Sequence, residues 1–133
     1  MSAAPDHAVP PARIADPTAI GLICLAIGCA ALTPMAFGMA LTPAGLQTAA
    51  IFCLLFGAGG QAVAGLGNLL NHNVYGGTLF TSFAFNWVVN WWALDGVSRG
   101  QVVDPTVVLA VDVCFLVVFL VFTYGFGFFS KLL

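Results

Sequence analysis

Four polar side chains recur at every fourth position in an apolar stretch near the middle of the chain. They are Thr78, Ser82, Asn86 and Asn90. Residues four apart lie on the same side of an α-helix, so these side chains form one polar stripe. Hydroxyl and amide groups can exchange hydrogen bonds with a small solute, and they can equally join one helix to another. The spacing therefore supports two interpretations, the lining of a solute path and a helix-packing surface.

A further polar group lies in the glycine-rich run that precedes this stripe. Gln61 is the third residue of the sequence GGQAVAG, whose small residues let a helix approach its neighbour closely. A side-chain amide in such an apolar helix needs a hydrogen-bond partner that lipid cannot supply. Gln61 is therefore a candidate path residue, together with Thr81 beside the stripe.

The last apolar run of the chain contains one acidic residue, Asp112. Acids within membrane spans are rare, and they usually have a partner or a function. Three interpretations of Asp112 stay open: a position near the membrane interface, an ion pair with Arg99, or a proton site beside a solute path.

The composition is that of a membrane protein. Of the 133 residues, 61% are hydrophobic and 6% are charged, whereas a soluble domain has about 25% charged residues. No Asp, Glu, Lys or Arg occurs between Asp16 and Asp95, which a water-facing surface of that length would not tolerate. The chain has three basic residues in all, too few to neutralise a row of phosphates, so we expect no nucleic-acid partner.

No metal site, cofactor site or catalytic motif is predicted. The four cysteines lie in apolar runs without CxxC spacing, and we interpret them as buried small hydrophobes. His72 stands in a polar turn without the companions that a metal site requires. The sequence contains no HExxH, GxSxG or nucleotide-binding loop, so we expect that the protein is not an enzyme.

Hydrophobic runs and capping signals predict an all-α, polytopic transmembrane bundle of about four spanning helices. Residues 1–15 are predicted to form a flexible tail, and residues 16–133 form the transmembrane domain. Asp-Pro pairs at Asp16 and Asp104 favour helix starts, because the carboxylate accepts free backbone N–H groups and proline suits the first turn. The expected helices span about residues 17–41, 44–70, 78–94 and 106–129. Three tryptophans near the end of the third helix predict an interfacial aromatic belt: Trp87, Trp91 and Trp92.

Four spans would place both termini on the same side of the membrane. Arg13 and Lys131 lie on that side, and Arg99 lies on the other. Because cytoplasmic segments carry an excess of basic residues, we expect cytoplasmic termini and a location in the cell (inner or plasma) membrane.

Several of these residues form strings that resemble the acetate uptake transporter family, which includes the bacterial succinate/acetate permeases. DPTAIGL, residues 16–22, is similar to the family signature NPAPLGL, with Pro17 and Gly21 retained and Asp16 in place of Asn. NVYGGTLFTSFAFNW, residues 73–87, is similar to the family string N-x-F-G-x-T-x-F-T-S-Y-G-x-x-W. The resemblance runs without a gap from Gln61 to Trp87.

The resemblance implies a helical membrane protein that carries acetate, succinate or related short carboxylates with protons. It also implies hexameric rings in which each protomer has its own path. Leu25 and Phe83 match the constriction of that path, where the family usually has an aromatic residue and a Tyr. Asn68 matches a position that is often acidic. The family has six spans and this sequence about four, so neighbouring subunits or another chain would have to complete the path, or transport has been lost.

The mechanism expected from the sequence is transfer of an uncharged solute. A bare carboxylate in a low-dielectric interior costs several kcal/mol, and the predicted spans contain no Lys or Arg to offset that cost. We therefore expect the acid to cross with its proton, past a gate of Leu25 and Phe83. The polar side chains expected along the path are Gln61, Thr81, Ser82, Asn86 and Asn90.

Two alternative functions stay open. One is a non-transporting structural or scaffold subunit of a larger membrane assembly, and the other is a channel for a neutral solute such as water, urea or ammonia. The expected partners are membrane lipid, a small carboxylate solute, and further copies of this chain or other membrane subunits.

Overall fold

The computed structural model describes residues 14–129, with side chains as far as residue 125. Within that range the chain forms helices and no strand, which confirms the predicted all-α class. The helices are α1 Thr18–Ala36, α2 Pro43–Leu70, α3 Val74–Ser98 and α4 Pro105–Phe129. The predicted tail, apart from its last residues Ile14 and Ala15, lies outside the described range. Arg13 and Lys131, on which the predicted orientation depends, also lie outside it.

Three of these helices are long and apolar enough to cross a membrane: α1, α2, and α4 over Pro105–Gly125. Helix α3 has 25 residues, a sufficient length at about 1.5 Å per residue. The amides and hydroxyls of the polar stripe make it less apolar than the other three. The protein is therefore helical and has three membrane-length apolar helices among its described residues.

Both predicted Asp-Pro pairs lie at helix starts. The Asp16 carboxylate accepts a hydrogen bond from the Thr18 backbone N–H at 2.9 Å, and α1 begins there. In the same way the Asp104 carboxylate accepts a hydrogen bond from the Thr106 backbone N–H at 2.8 Å, beside the start of α4. Each carboxylate thus provides an acceptor for a backbone N–H that the first turn of a helix leaves unpaired.

Helix α1 ends at Ala36, before the predicted end near Leu41. Gly38 follows with a left-handed φ of 72°, and its N–H donates to the Met35 carbonyl at 2.9 Å. The next N–H donates to the Pro34 carbonyl at 2.8 Å. This pair of hydrogen bonds around a left-handed glycine terminates helices, and hydrophobicity alone does not reveal it.

The central part of α2 is π-helical. Cys53–Gly60 has this wider geometry, between the α-helical segments Pro43–Phe52 and Gln61–Leu70. The segment is rich in glycine, which disfavours the α-helix, and π-helical turns within α-helices are frequent at functional sites. It ends immediately before Gln61.

Helices α1, α2 and α3 pack around the indole ring of Trp87. The ring is 5% exposed and lies against Gly28 of α1 and Gly57 of α2. Cys53 and Ala58 complete this buried cluster. Because glycine has no Cβ, both neighbouring helices can approach the ring closely. Trp87 therefore belongs to the core of the bundle and not to the predicted interfacial belt.

Helix α4 lies beside this three-helix core with little of its surface covered. No residue of its apolar window is buried. The Phe119 ring stacks on Phe83 with the ring centroids 4.3 Å apart, and Phe122 meets Tyr75 edge to face at 5.3 Å. Aromatic side chains therefore join α4 to α3.

Helix α3 extends beyond its predicted limits of about 78 and 94 at both ends. At its start the Asn73 side chain accepts a hydrogen bond from the Gly76 backbone N–H at 2.9 Å, as an N-cap residue does. After Val74–Ser98 the chain turns at Gly100, which has a left-handed φ of 78°. Local capping at both ends therefore lengthens the helix that carries the polar stripe.

Candidate functional site

Gln61 lies in the centre of the three-helix core. Its side chain is 0% exposed, and neither Oε1 nor Nε2 has a hydrogen-bond partner among the described residues. A buried polar group without a partner costs about 1–3 kcal/mol, and the amide of Gln61 contains two such groups. Binding of a polar ligand would remove this cost, so Gln61 is the first candidate site residue.

Two more buried polar atoms flank Gln61 along the α2–α3 interface. Trp87 Nε1 and Thr81 Oγ1 are also buried without a partner in the described part of the chain. Trp87 lies against Gly57, one helical turn before Gln61. Thr81 lies against Gly65, one turn after it. The three groups, which we call the buried polar row, thus follow one another along about 12 Å of the interface.

An open groove on the surface of α2 and α3 reaches one end of this row. Its volume is about 370 Å³. The groove is lined by nine residues, among them Ala58, Ala62 and Phe85, and Thr81 is the polar one. The groove therefore reaches Thr81 at one end of the buried polar row, while the Thr81 hydroxyl itself is buried against Gly65.

The polar stripe lies on a different face of α3 from the buried polar row. Ser82, Asn86 and Asn90 are half-buried. The helical repeat places them with Phe83 on the side of α3 that faces α4. The single path predicted from the sequence is therefore divided between two faces: Gln61 lies inside the three-helix core, and the stripe faces α4.

A second groove, of about 260 Å³, separates α3 from α4. Its walls are largely aromatic and include Tyr75 and Phe83 of α3. The Tyr75 hydroxyl donates a hydrogen bond to the Phe122 carbonyl of α4. Further along α3 the same face carries the amides of the stripe, where Asn90 Nδ2 donates to the Asn86 carbonyl at 3.0 Å. The α3–α4 side is thus apolar towards the start of α3 and polar towards its end.

The two residues predicted to form a constriction meet the same apolar cluster. Leu25 of α1 and Phe83 of α3 are partly buried and pack against Cys53, Ala58 and Trp87. They lie at the Trp87 end of the buried polar row. The structure therefore brings both predicted constriction residues to the Trp87 cluster, and Phe83 also contacts Phe119 on the α4 side, where the stripe lies.

Asp112 is exposed on α4. Arg99 forms an ion pair with Asp95, with an Nη2–Oδ2 distance of 2.8 Å. Among the described residues Arg99 thus pairs with the carboxylate one turn away on the same helix, and no ion pair joins it to Asp112. The interfacial and proton-site interpretations of Asp112 stay predictions.

An asparagine network at the α2–α3 turn was not identified from the sequence. Asn68 is 1% exposed, and its Nδ2 donates to the Ala64 carbonyl at 2.9 Å. Its Oδ1 accepts hydrogen bonds from Asn73 Nδ2 at 2.7 Å and from the Thr18 hydroxyl at 3.4 Å. Asn73 could have been recognised as an N-cap before a helical run, but its pairing with Asn68 depends on the fold.

The residues that match the family signature pack at this same end of the bundle. Pro17 lies beside Gly67 of α2, and Gly21 is buried where α1 meets α2 and α3. Hydrogen bonds from the side chain and the backbone of Thr18 hold the pKa of the Asp16 carboxyl below its ordinary value of 3.8. The signature therefore contributes to the packing of α1 against α2 and α3.

The cysteines and histidine do not form a metal centre in the described range. Among residues 14–129 no three His, Cys, Asp or Glu side chains come together in a group that could hold a metal. All four cysteines are free. Cys24 and Cys53 are buried, as predicted, whereas Cys29 and Cys114 are exposed on the outer surface.

No protein-family model, curated protein or solved structure matches the chain. The resemblance to the acetate uptake transporter family therefore depends on the residues quoted above, chiefly those from Gln61 to Trp87. These residues form the parts of α2 and α3 that contain the buried polar row.

Proposed function

We propose that the protein is a membrane channel or transporter for acetate or a related short carboxylate such as succinate, and that transport is linked to protons. The observation that supports this proposal most strongly is the burial of the Gln61 side chain without hydrogen-bond partners in the described range. Its amide is fully buried, and both of its polar atoms lack partners among the described residues. A protein that only packs helices would gain stability from a leucine at that position, so a polar ligand explains the amide better.

The charge distribution supports a solute that crosses in uncharged form. The chain has no Lys or Arg between Asp16 and Asp95, so no cation in α1, α2 or most of α3 could replace the hydration of an anion. Hydroxyl, amide and indole groups can still bind a neutral acid. The proton therefore travels on the solute, which makes the transport electrically neutral.

The proposed route follows the buried polar row. A solute would reach Thr81 from the groove on α2 and α3, contact Gln61, and pass the apolar cluster that Leu25 and Phe83 contact. The second polar surface, which contains Ser82, Asn86 and Asn90, would face a neighbouring subunit or extend the route on the α4 side. This surface is the part of the path that neighbouring copies would complete.

The proposed protein spans the membrane four times and forms a homo-oligomer. Helix α3 would be the fourth span, and the termini would lie in the cytoplasm, with the protein in the inner or plasma membrane. A homo-oligomer, hexameric by the family resemblance, would cover the polar stripe and the unburied surface of α4. Amides at membrane depth favour protein partners over lipid, which supports such an assembly.

The direct test is uptake of labelled acetate by proteoliposomes. Uptake above that of empty vesicles, increasing as the external pH falls, is expected. Gln61→Leu should reduce the protein-dependent uptake by about tenfold or more, since two hydrogen bonds to the solute are lost. Gln47→Leu is the matched control, because Gln47 is an exposed glutamine of the same helix. Uptake equal to that of empty vesicles would refute the transport function.

The unburied surface of α4 favours one alternative, a non-transporting subunit of a membrane assembly. The apolar window of α4 has no buried residue, and in the stripe beside it Thr78 is exposed and the other three side chains are half-buried. In that case purification in mild detergent would yield a complex with another chain, and acetate uptake would be absent. A competition experiment distinguishes a channel for neutral solutes from an acetate transporter. In such a channel, urea or glycerol would inhibit the uptake of labelled acetate as strongly as unlabelled acetate does.

A further inference from the structure

We propose that the side-chain amide of Gln61 binds the substrate acid in its protonated form and rejects the carboxylate anion, with Trp87 Nε1 as a second donor. This inference rests on the proposed function, because it assigns the chemistry of recognition to the same site. It starts from three buried polar atoms without partners among residues 14–129: Gln61 Oε1, Gln61 Nε2 and Trp87 Nε1.

A primary amide and a carboxylic acid have complementary hydrogen-bonding edges. The acid O–H donates to Gln61 Oε1, and Gln61 Nε2–H donates to the acid carbonyl, so two hydrogen bonds close one ring. Both unpaired atoms of the amide are satisfied by a single ligand, and no charge enters the core. Rotation of the amide by half a turn exchanges Oε1 and Nε2, and the same pair can then form with the acid turned over.

A carboxylate anion cannot form this pair, because it has acceptors and no donor. Gln61 Oε1 would then face a negatively charged oxygen. The anion would also lose its water without gaining a cation, since the one guanidinium in the described range, that of Arg99, is bound to Asp95. The titratable side chains buried in the core are the thiols of Cys24 and Cys53, and neither is a cation. Both hydrogen bonding and desolvation therefore favour the acid.

Trp87 can add a donor whose direction is fixed by packing. Its ring is held between Gly28 and Gly57, so the indole cannot turn without displacing a helix. Gly57 is one helical turn from Gln61, about 6 Å along α2, so the indole and the amide share the α2–α3 interface, and both have buried polar atoms without a partner in the described range. A carbonyl oxygen has two lone pairs and can accept from Gln61 Nε2 and from Trp87 Nε1 together. The indole N–H therefore becomes a recognition group, a role that the sequence did not assign to it.

The first test compares acetate with acetamide as competitors in the wild-type protein. Uptake of labelled acetate is measured across pH, after subtraction of uptake by empty liposomes of the same lipid. The apparent affinity for total acetate should fall about tenfold for each pH unit above the pKa of acetic acid, because the acid fraction falls by that factor. Acetamide offers a carbonyl and an N–H donor at every pH, so its affinity should stay constant. Acetamide that does not compete, or an acetate affinity that does not change with pH, overturns the inference.

The second test uses variants that remove single groups. Gln61→Leu should lower the affinities for acetate and acetamide by about tenfold or more. Trp87→Phe, which keeps an aromatic ring, should lower them by about threefold to tenfold. Gln47→Leu should leave both affinities unchanged. Wild-type affinity in folded Gln61→Leu protein overturns the inference, and wild-type affinity in Trp87→Phe overturns the role of the indole.

A binding measurement separates this inference from the proposed function. Acetic acid at acidic pH, and acetamide at acidic and neutral pH, should raise the unfolding temperature of the detergent-purified wild type and not that of Gln61→Leu. If ligands stabilise the protein but no uptake occurs, the transport function fails and the recognition chemistry stands. If uptake occurs but the stabilisation by either ligand is the same in Gln61→Leu as in the wild type, the recognition chemistry fails and the transport function stands.

Discussion

Trp87 and Gly57 are in direct contact across the α2–α3 interface. A Cβ placed on Gly57 would lie 2.5 Å from the indole Cγ and 2.8 Å from Cε3, which is closer than carbon atoms can approach without strain. Gly57 lies within the π-helical segment of α2, one helical turn before Gln61. The wide π-helical turn and the absent side chain together accommodate the indole, and so determine how closely α2 and α3 pack beside the candidate site.

Gly57→Ala should therefore destabilise the protein. The added methyl group would displace the indole or separate the helices, at a cost of about 1–3 kcal/mol. Gly59→Ala is the matched control two residues away, because a Cβ there would meet only the Leu54 carbonyl oxygen, at an ordinary distance of 3.5 Å. Thermal unfolding in detergent should show a lower midpoint for Gly57→Ala and an unchanged or slightly higher one for Gly59→Ala. Equal midpoints for the two variants would contradict the contact.

Asn68→Ala should be more destabilising than Asn90→Ala. Removal of the buried Asn68 side chain takes the acceptor away from the Asn73 amide and the half-buried Thr18 hydroxyl, at a cost of about 1 kcal/mol for each hydrogen bond. The Asn90 side chain donates one hydrogen bond within its own helix and is half-buried. Hydrogen–deuterium exchange at the α2–α3 turn, compared between the two variants, measures the effect. Faster exchange in Asn90→Ala than in Asn68→Ala would contradict the network.

The start of α1 should lose stability in acid. The hydrogen bonds from Thr18 favour the ionised form of Asp16 and lower its pKa in the folded protein. The stabilisation is therefore complete above the pKa of the unfolded chain, and it is lost as the pH falls through the lower folded value. Asp16→Asn keeps an acceptor oxygen but does not titrate. Exchange protection near Thr18 should fall between about pH 5 and pH 2 in the wild type and stay constant in Asp16→Asn; parallel curves would exclude this role.

Asp112→Asn should leave the pH dependence of acetate uptake unchanged. In the proposed mechanism the acid carries its own proton past Gln61, and Asp112 is exposed on α4, outside the three-helix core. Uptake by proteoliposomes across pH measures the effect, with Gln61→Leu as the variant that should alter it. A displaced pH profile in Asp112→Asn would instead assign a proton-carrying role to Asp112.

Much of the fold could be predicted from the sequence, because the signals for it are local. Hydrophobic runs of sufficient length predicted the helices, and Asp16-Pro17 and Asp104-Pro105 predicted where two of them begin. The boundary errors have local causes as well: the left-handed Gly38 ends α1 early, and the Asn73 cap starts α3 early. The need of Gln61 for a partner was also evident, since an amide between glycines and alanines in an apolar helix has no partner nearby.

The sequence by itself determined the helices, the membrane-like composition and the polar residues that share a face of each helix. Only the tertiary structure decided which neighbour each face meets. Helical spacing put Ser82, Asn86 and Asn90 on one stripe, but packing turned that stripe towards α4 and left Gln61 with Thr81 and Trp87 in the core. The physical reason is that periodicity fixes directions within a helix, whereas the rotation of one helix against another depends on close contacts such as that of Gly57 with Trp87, which join residues far apart in the chain.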